Sequence, residues 1–270
     1  MAGSWYPGSA AALREAVERC LAPAGVVRVS GRVLGLVSPH AGIVYSGGVA
    51  AHAYACLRGQ PASTVVLVGP SHRVAFEGVS VYARGAFETP LGEIPVDEEA
   101  AAALLAEGPP LVDFPSPHRD EHSLEMQLPF LQVVMAGVRI VPLLMGSQVR
   151  DEAEGLGRAL AASLAAREAV LVASSDLSHY HPAPVANRLD AEVVSDVERL
   201  DAEGLMRRLE SSPEHACGGG AIVAVLSAAR ALGADRATIL RYADSGDAGE
   251  RDKSRVVGYL AAALSAPERP

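Results

Sequence analysis

The chain has one lysine, Lys253, one asparagine, Asn187, one tryptophan, Trp5, and three cysteines in 270 residues. Each scarcity excludes something. Cys20, Cys56 and Cys217 are too few, and odd in number, to build a disulfide framework, which points to a reducing, cytoplasmic compartment. With 23 basic residues against 32 acidic ones and a formal net charge of −9, no basic face is left for bulk capture of nucleic acid or an anionic membrane. A small-molecule or peptide ligand is the expected partner instead. Scarce asparagine is a habit of heat-adapted chains, and equally a product of composition biased toward Arg and Ala. No uncharged apolar stretch reaches the roughly 20 residues of a membrane-spanning helix. The longest, such as Ala221 to Ala229, suits a buried core helix. The start, Met1-Ala2-Gly3-Ser4-Trp5-Tyr6-Pro7, lacks the basic residues and apolar run of a signal peptide. No linker of low complexity and no repeat divides the chain, so one domain over residues 1–270 is expected.

Hydrophobic residues make up 49% of the chain, ample for a continuous core, and they fall into two alternating patterns. Continuous apolar runs at 32–38, 64–69, 138–145, 169–175, 237–243 and 255–261 read as buried strands. Helical spacing marks 10–22, 48–58, 97–107, 122–136, 151–167, 188–200 and 218–232. The segment 79–94, around Thr89-Pro90-Leu91-Gly92, looks like a local hairpin. Apolar strands separated by helices indicate a sheet covered on both faces. The expected class is therefore α/β, with a central mostly parallel or mixed sheet.

In open α/β sheets ligands bind beyond the carboxyl ends of the strands. Three predicted strands deliver a histidine just there: Ser38-Pro39-His40-Ala41-Gly42, Gly69-Pro70-Ser71-His72-Arg73 and Asp176-Leu177-Ser178-His179. A lone loop histidine is as often merely hydrogen-bonded, but three strand-end histidines suggest one site. Cys217 precedes an apolar helix, where free N–H groups and the helix dipole favour a thiolate. Two imidazoles and that thiolate can fill three positions around a metal and leave others open, as catalytic sites require. Asp176 and His179, three residues apart, are candidate acid/base groups or further ligands. Cys20 and Cys56 lie in apolar helical patterns and read as core packing. The cluster His118 to Glu125 is either a charged helix start or a cleft wall contributed by His122 or Glu125. Trp5 and Tyr6 either pack or line a ligand groove.

These stretches, with Glu121-His122-Ser123-Leu124-Glu125, Ser174-Ser175-Asp176-Leu177-Ser178-His179-Tyr180 and Cys217-Gly218, resemble the MEMO family, which includes AmmeMemoRadiSam system protein B. The resemblance runs from the first residues to the closing strands. It implies a fold similar to class III extradiol dioxygenases, which use non-haem Fe(II). It also implies that His40, His72 and Cys217 occupy the metal positions, with Asp176 and His179 as catalytic neighbours and Trp5, Tyr6 and His122 around the ligand cleft. Cys217 stands where the dioxygenases carry a carboxylate, so Fe(II), Zn and Cu are all candidate cofactors. The implied partners are a radical-SAM protein and an AMMECR1-like protein. Three functions follow: a metal-dependent, dioxygenase-like oxidoreductase; a non-catalytic module that binds a peptide or ligand in a vestigial cleft; and a metal-free cysteine nucleophile.

Overall fold

The computed structural model describes residues 1–25, 29–248 and 252–268. In chain order the first half contains α1 (Ala10–Ala24), β1 (Arg32–Ser38), α2 (Ile43–Ala55), β2 (Thr64–Pro70), β3 (Val79–Val81), β4 (Ala86–Thr89), β5 (Gly92–Pro95), α3 (Glu98–Ala106) and β6 (Leu111–Asp113). The second half contains α4 (Leu128–Val134), β7 (Arg139–Met145), α5 (Arg150–Leu164), β8 (Ala169–Ser174), β9 (His179–His181), α6 (Ala183–Glu198), α7 (Ala202–Ser211), α8 (Gly219–Ala231), β10 (Arg236–Asp244) and β11 (Val256–Ala266).

A nine-stranded mixed sheet runs through the molecule in the order β10-β11-β1-β8-β2-β7-β3-β6, with β9 paired to β11. The central four strands, β1, β8, β2 and β7, are mutually parallel, so Ser38, Ser174, Pro70 and Met145 end on one edge. β11 runs antiparallel to β1, and β3 antiparallel to β7. The period-two alternation of strand side chains divides the apolar residues between two cores. Val66, Val68, Val141, Leu143, Leu171 and Ala173 face one layer, packed with the apolar stripes of α5 and α8. Val65, Leu67, Ile140, Leu144, Val170 and Val172 face the other, packed with α1, α2 and α4. The predicted α/β class with helices on both faces is what the structure has.

Local chemistry sets the helix limits. In α1, Leu13, Ala16, Val17 and Leu21 form one buried stripe, Ser9 caps the start through Ala12 N, and Gly25 stops it at φ 62°. In α3, the Asp97 carboxylate caps Ala100 N at 3.2 Å.

Three expectations need correction. The helix predicted over 122–136 is only one 3₁₀ turn, Glu125–Gln127, followed by α4. Pro129 lies in the first turn of α4, where its missing N–H is harmless, and Ser123 spends its hydrogen bonds outside a helix, N on Glu121 Oε1 and Oγ on Pro70 O at the end of β2. The hairpin expected around Thr89-Pro90-Leu91-Gly92 is present, with Thr89 paired to Gly92, and only the start of the segment 79–94 departs from it. Val79–Val81 joins the main sheet, and only β4 and β5 pair locally, as a separate two-stranded sheet. The helix expected at 48–58 starts at Ile43, directly behind the His40 loop. α7 went unpredicted, although it presents Leu205, Met206 and Leu209 as a buried stripe. Among the described residues no helix is long and apolar enough to cross a membrane.

Candidate functional site

The loops at the carboxyl edge enclose a cavity of about 1060 Å³. Its lining includes every residue predicted for the site: Trp5, Tyr6, His40, His72, His122, Asp176, His179 and Cys217. The parallel register is the cause. β1, β2 and β8 end side by side, so the loops that follow them must meet above one edge.

His40 is held by a buried polar chain. Ser174 Oγ donates to Ser123 O at 2.6 Å, which uses its only proton. It must therefore accept from Gln127 Nε2 at 2.7 Å and from His40 Nδ1 at 2.9 Å. Gln127 is itself oriented by Tyr54 OH on Oε1 and by Pro39 O on Nε2. His40 thus carries its proton on Nδ1 and offers the bare Nε2 to the cavity. Burial, then the neighbouring His72 and His122, hold His40 well below the usual imidazole pKa, keeping it neutral.

His72 is fixed by Glu121. One carboxylate oxygen accepts His72 N at 2.6 Å and the other accepts His72 Nδ1 at 2.9 Å. Glu121 also accepts from His122 N and Ser123 N, at 2.9 and 2.8 Å. Burial opposes its charge, but the hydrogen bonds from His72 and Ser123 win, lowering its pKa to about 2. His179 Nδ1 donates to Leu177 O at 2.8 Å. In His40, His72 and His179 alike Nδ1–H is bound to an oxygen, and Nε2 is left toward the cavity, where that of His40 meets Cys217 Sγ. That is the orientation in which metal-ligating imidazoles are held.

Donor atoms of His40, His72 and His122 lie within 4.8 Å of one another. The three rings gather closely, with His72 stacked on His122 at 4.5 Å between centroids and His40 edge-on to both at 5.3 and 5.5 Å. Trp5 covers the outer face of His122 at 4.2 Å. His122 Nδ1 is buried without a hydrogen-bond partner, although Glu121 Oε1 lies 3.2 Å away. Burial lowers the His122 pKa to about 4. A cluster of pre-oriented imidazoles with an orphaned ring nitrogen fits a divalent cation.

Cys217, expected as the third ligand, is outside this three-histidine group and meets only its His40 member. Its Sγ lies 3.3 Å from His40 Nε2, and it accepts Asp176 N at 3.3 Å. The expected thiolate at the start of α8 is not what the structure favours. Burial, with Asp176 as the next cause, pushes the thiol well above its ordinary range. In the absence of a cation the thiol keeps its proton. Asp176 accepts His40 N on Oδ1 at 2.8 Å, and burial raises its pKa to about 7. All three cysteines are unpaired; Cys56 is buried, and Cys20 is only part-buried, against the expectation of a fully buried thiol.

The groups that sequence reading missed are the supports: Glu121, Gln127 and Ser174. Only Glu121 had a signal, in the charged run His118 to Glu125. Glu125 accepts Tyr6 OH and braces the amino-terminal segment.

Fold and site together define an α/β protein with an imidazole-lined, metal-capable cleft at the carboxyl edge of its parallel strands. A family model described as Memo-like protein matches residues 1–263. A MEMO1 family protein of Methanosarcina mazei is 42% identical over 265 residues, covering 97% of this chain and 96% of the relative. One of Methanothermobacter thermautotrophicus is 38% identical over 269 residues, with 96% of each chain covered. The chain belongs to the MEMO family. Among solved structures, an uncharacterized protein from Escherichia coli K12 superposes with a TM-score of 0.58 at 18% identity, covering 87% of this chain and 100% of that one, a likeness of fold.

Proposed function

We propose that this protein binds one divalent metal in the cleft through His40, His72 and Cys217, with His122 beside them, and uses it for redox chemistry on a small substrate. The observation that carries the reading is the common arrangement of His40, His72 and His179, each with Nδ1 bound to an oxygen and Nε2 toward the cleft. The 3.3 Å between His40 Nε2 and Cys217 Sγ is a separation that two ligands of one ion adopt when metal–ligand bonds are about 2.0–2.3 Å. Two imidazoles and a thiolate suit Fe(II), Zn or Cu, and the dioxygenase-like ancestry implied by the sequence favours Fe(II). A bound redox metal supplies electron transfer and Lewis-acid polarisation.

The remaining roles belong to the chain's own groups. His179 is kept neutral because burial lowers its pKa, and its free Nε2 can take a proton from a substrate hydroxyl. Asp176, poised at about 7, exchanges a proton near neutral pH. Tyr6 and Trp5 wall the cleft against water. A second reading, a ligand- or peptide-binding module, draws on the exposed rim residues Val44, Tyr45 and Tyr180. The two separate in one experiment. Protein purified without oxygen is assayed for bound metal and for oxygen uptake. The enzyme reading expects one bound metal per chain, lost in His40→Ala and His72→Ala. A metal-free protein, with both variants indistinguishable from wild type, overturns it.

A further inference from the structure

A second cavity, of about 420 Å³, shares no lining residue with the cleft. Three separate segments bound it: the end of β3, strand β4 and the loop after β6. Their rings form a box. Tyr82 meets Phe87 at 5.0 Å and His118 at 5.4 Å between ring centroids, and Phe87 meets His118 at 6.2 Å, all edge to face. None of the three belongs to the proposed metal site. One of them is incompletely bonded. Ser80 Oγ donates its proton to Phe114 O, so it accepts from His118 Nε2 at 3.0 Å. Burial lowers the His118 pKa to about 4 and keeps the ring neutral, so Nδ1 carries a bare lone pair. That atom is buried without a partner. A buried acceptor with no donor is costly, and a ligand with an N–H group can supply one.

Two opposite charges line the same cavity, Glu88 from β4 and Arg119 from the loop after β6. Both residues are exposed. Among the described residues neither side chain has an ion pair or a hydrogen bond, with the other or with a third group. In the β4–β5 register Glu88 stands directly opposite Glu93, which is likewise unpaired. Carboxylates placed across from each other repel, and a cation beside them relieves the repulsion. A box of rings with an unmatched acid on one segment and an unmatched base on another selects a small molecule with both charges and an apolar body.

We propose that this cavity binds a free α-amino acid with an apolar side chain, its ammonium between Glu88 and His118 Nδ1, its carboxylate on Arg119 and its side chain against Tyr82 and Phe87. The site is separate from the metal reading and does not depend on it. A peptide terminus carries only one of the two charges, and so would match only one of Glu88 and Arg119.

Calorimetry with L-leucine, glycine, L-leucinamide and N-acetyl-L-leucine tests this. The amide lacks the carboxylate, and the acetyl derivative lacks the ammonium. Each is expected to bind roughly ten-fold more weakly than L-leucine, the worth of one charge-assisted contact. Glycine, which has no apolar body, is also expected to bind more weakly. Arg119→Gln should remove the advantage of L-leucine over the amide, and Glu88→Gln its advantage over the acetyl derivative. Both substitutions fall at exposed positions, and circular dichroism checks that the fold is kept. Trp5, the single tryptophan, stacks on His122 in the cleft. Its fluorescence therefore reports the other site and is expected to stay unchanged as L-leucine binds. Four results each overturn the proposal: no binding of L-leucine at millimolar concentration, a derivative or glycine that matches L-leucine, wild-type discrimination in both variants, and Trp5 emission that follows the calorimetric isotherm.

Discussion

Cys217 Sγ and His40 Nε2 stand 3.3 Å apart although 177 positions separate them in the chain. The thiol is displaced upward in pKa by burial and by Asp176, so holding it as a thiolate requires a nearby positive charge. This juxtaposition motivates the first expectation. Cys217→Ser should weaken Zn binding more than Mn binding, because the lost ligand is the soft one and the imidazoles remain. Cys217→Glu should shift preference toward Fe(II) or Mn. Competition with chromogenic chelators measures both. Equal affinities across wild type and both variants would mean that Cys217 is not a ligand.

Glu121→Gln removes the charge that receives His72 Nδ1 at 2.9 Å. Outer partners of ligating histidines are typically worth about 10–100-fold in metal affinity, and a loss in that range is expected. Thermal unfolding of the metal-free variant separates this from misfolding. A variant that folds and binds metal as tightly as wild type would remove His72 from the ligand set.

His118 gives a pH dependence away from the proposed ligands. Ser80 Oγ donates to Phe114 O and so accepts from His118 Nε2 at 3.0 Å. His118 Nδ1 is buried without a partner. Burial lowers its pKa from 6.5 to about 4. The unfolded chain therefore takes up a proton first as pH falls. The stability this neutral histidine contributes is complete above about 6.5 and is lost progressively as pH falls toward 4. The loss is on the order of 2–3 kcal/mol. His118→Gln keeps the donor to Ser80 and should flatten that part of the acid limb. Urea midpoints at successive pH values test this, and parallel curves for both proteins would contradict it.

Gly218 is needed for closeness rather than for its backbone angle. A Cβ there would lie 2.4 Å from Ser174 O and 2.9 Å from Ser175 Cβ. Gly218→Ala must push the start of α8 away from β8, at a cost of about 1–3 kcal/mol. Since Cys217 is the preceding residue, metal affinity should fall with stability. Unchanged stability would mean that the loop yields without strain.

The fold was legible because its strands are continuous apolar runs: 64–69 and 169–175 read as buried strands, and β2 and β8 lie there, flanked on both faces. The histidines were legible because His40 and His72 follow strand ends at once, and Asp176 and His179 lie in the loop after β8. Parallel strands bring such positions to one edge wherever they fall in sequence. Of the helix predicted at 122–136, the part over 125–134 was legible and the start was not, because Glu121 and Ser123 are bound to groups remote in the chain, and those contacts override local helical spacing.

By itself, the sequence determined the alternation of strands and helices, the family and the residue types gathered at the cleft. These depend on spacing and on chemistry carried by single segments. Only the tertiary structure decided which imidazole nitrogen faces the cavity, that His122 stands as close to His40 and His72 as they do to each other, and that the Cys217 thiol is protonated rather than ionised. Each of these depends on burial and on partners such as Ser174, Glu121 and Asp176, contributed by distant parts of the chain. Such long-range placement is fixed by how the sheet pairs and the cores close, and no local pattern encodes it.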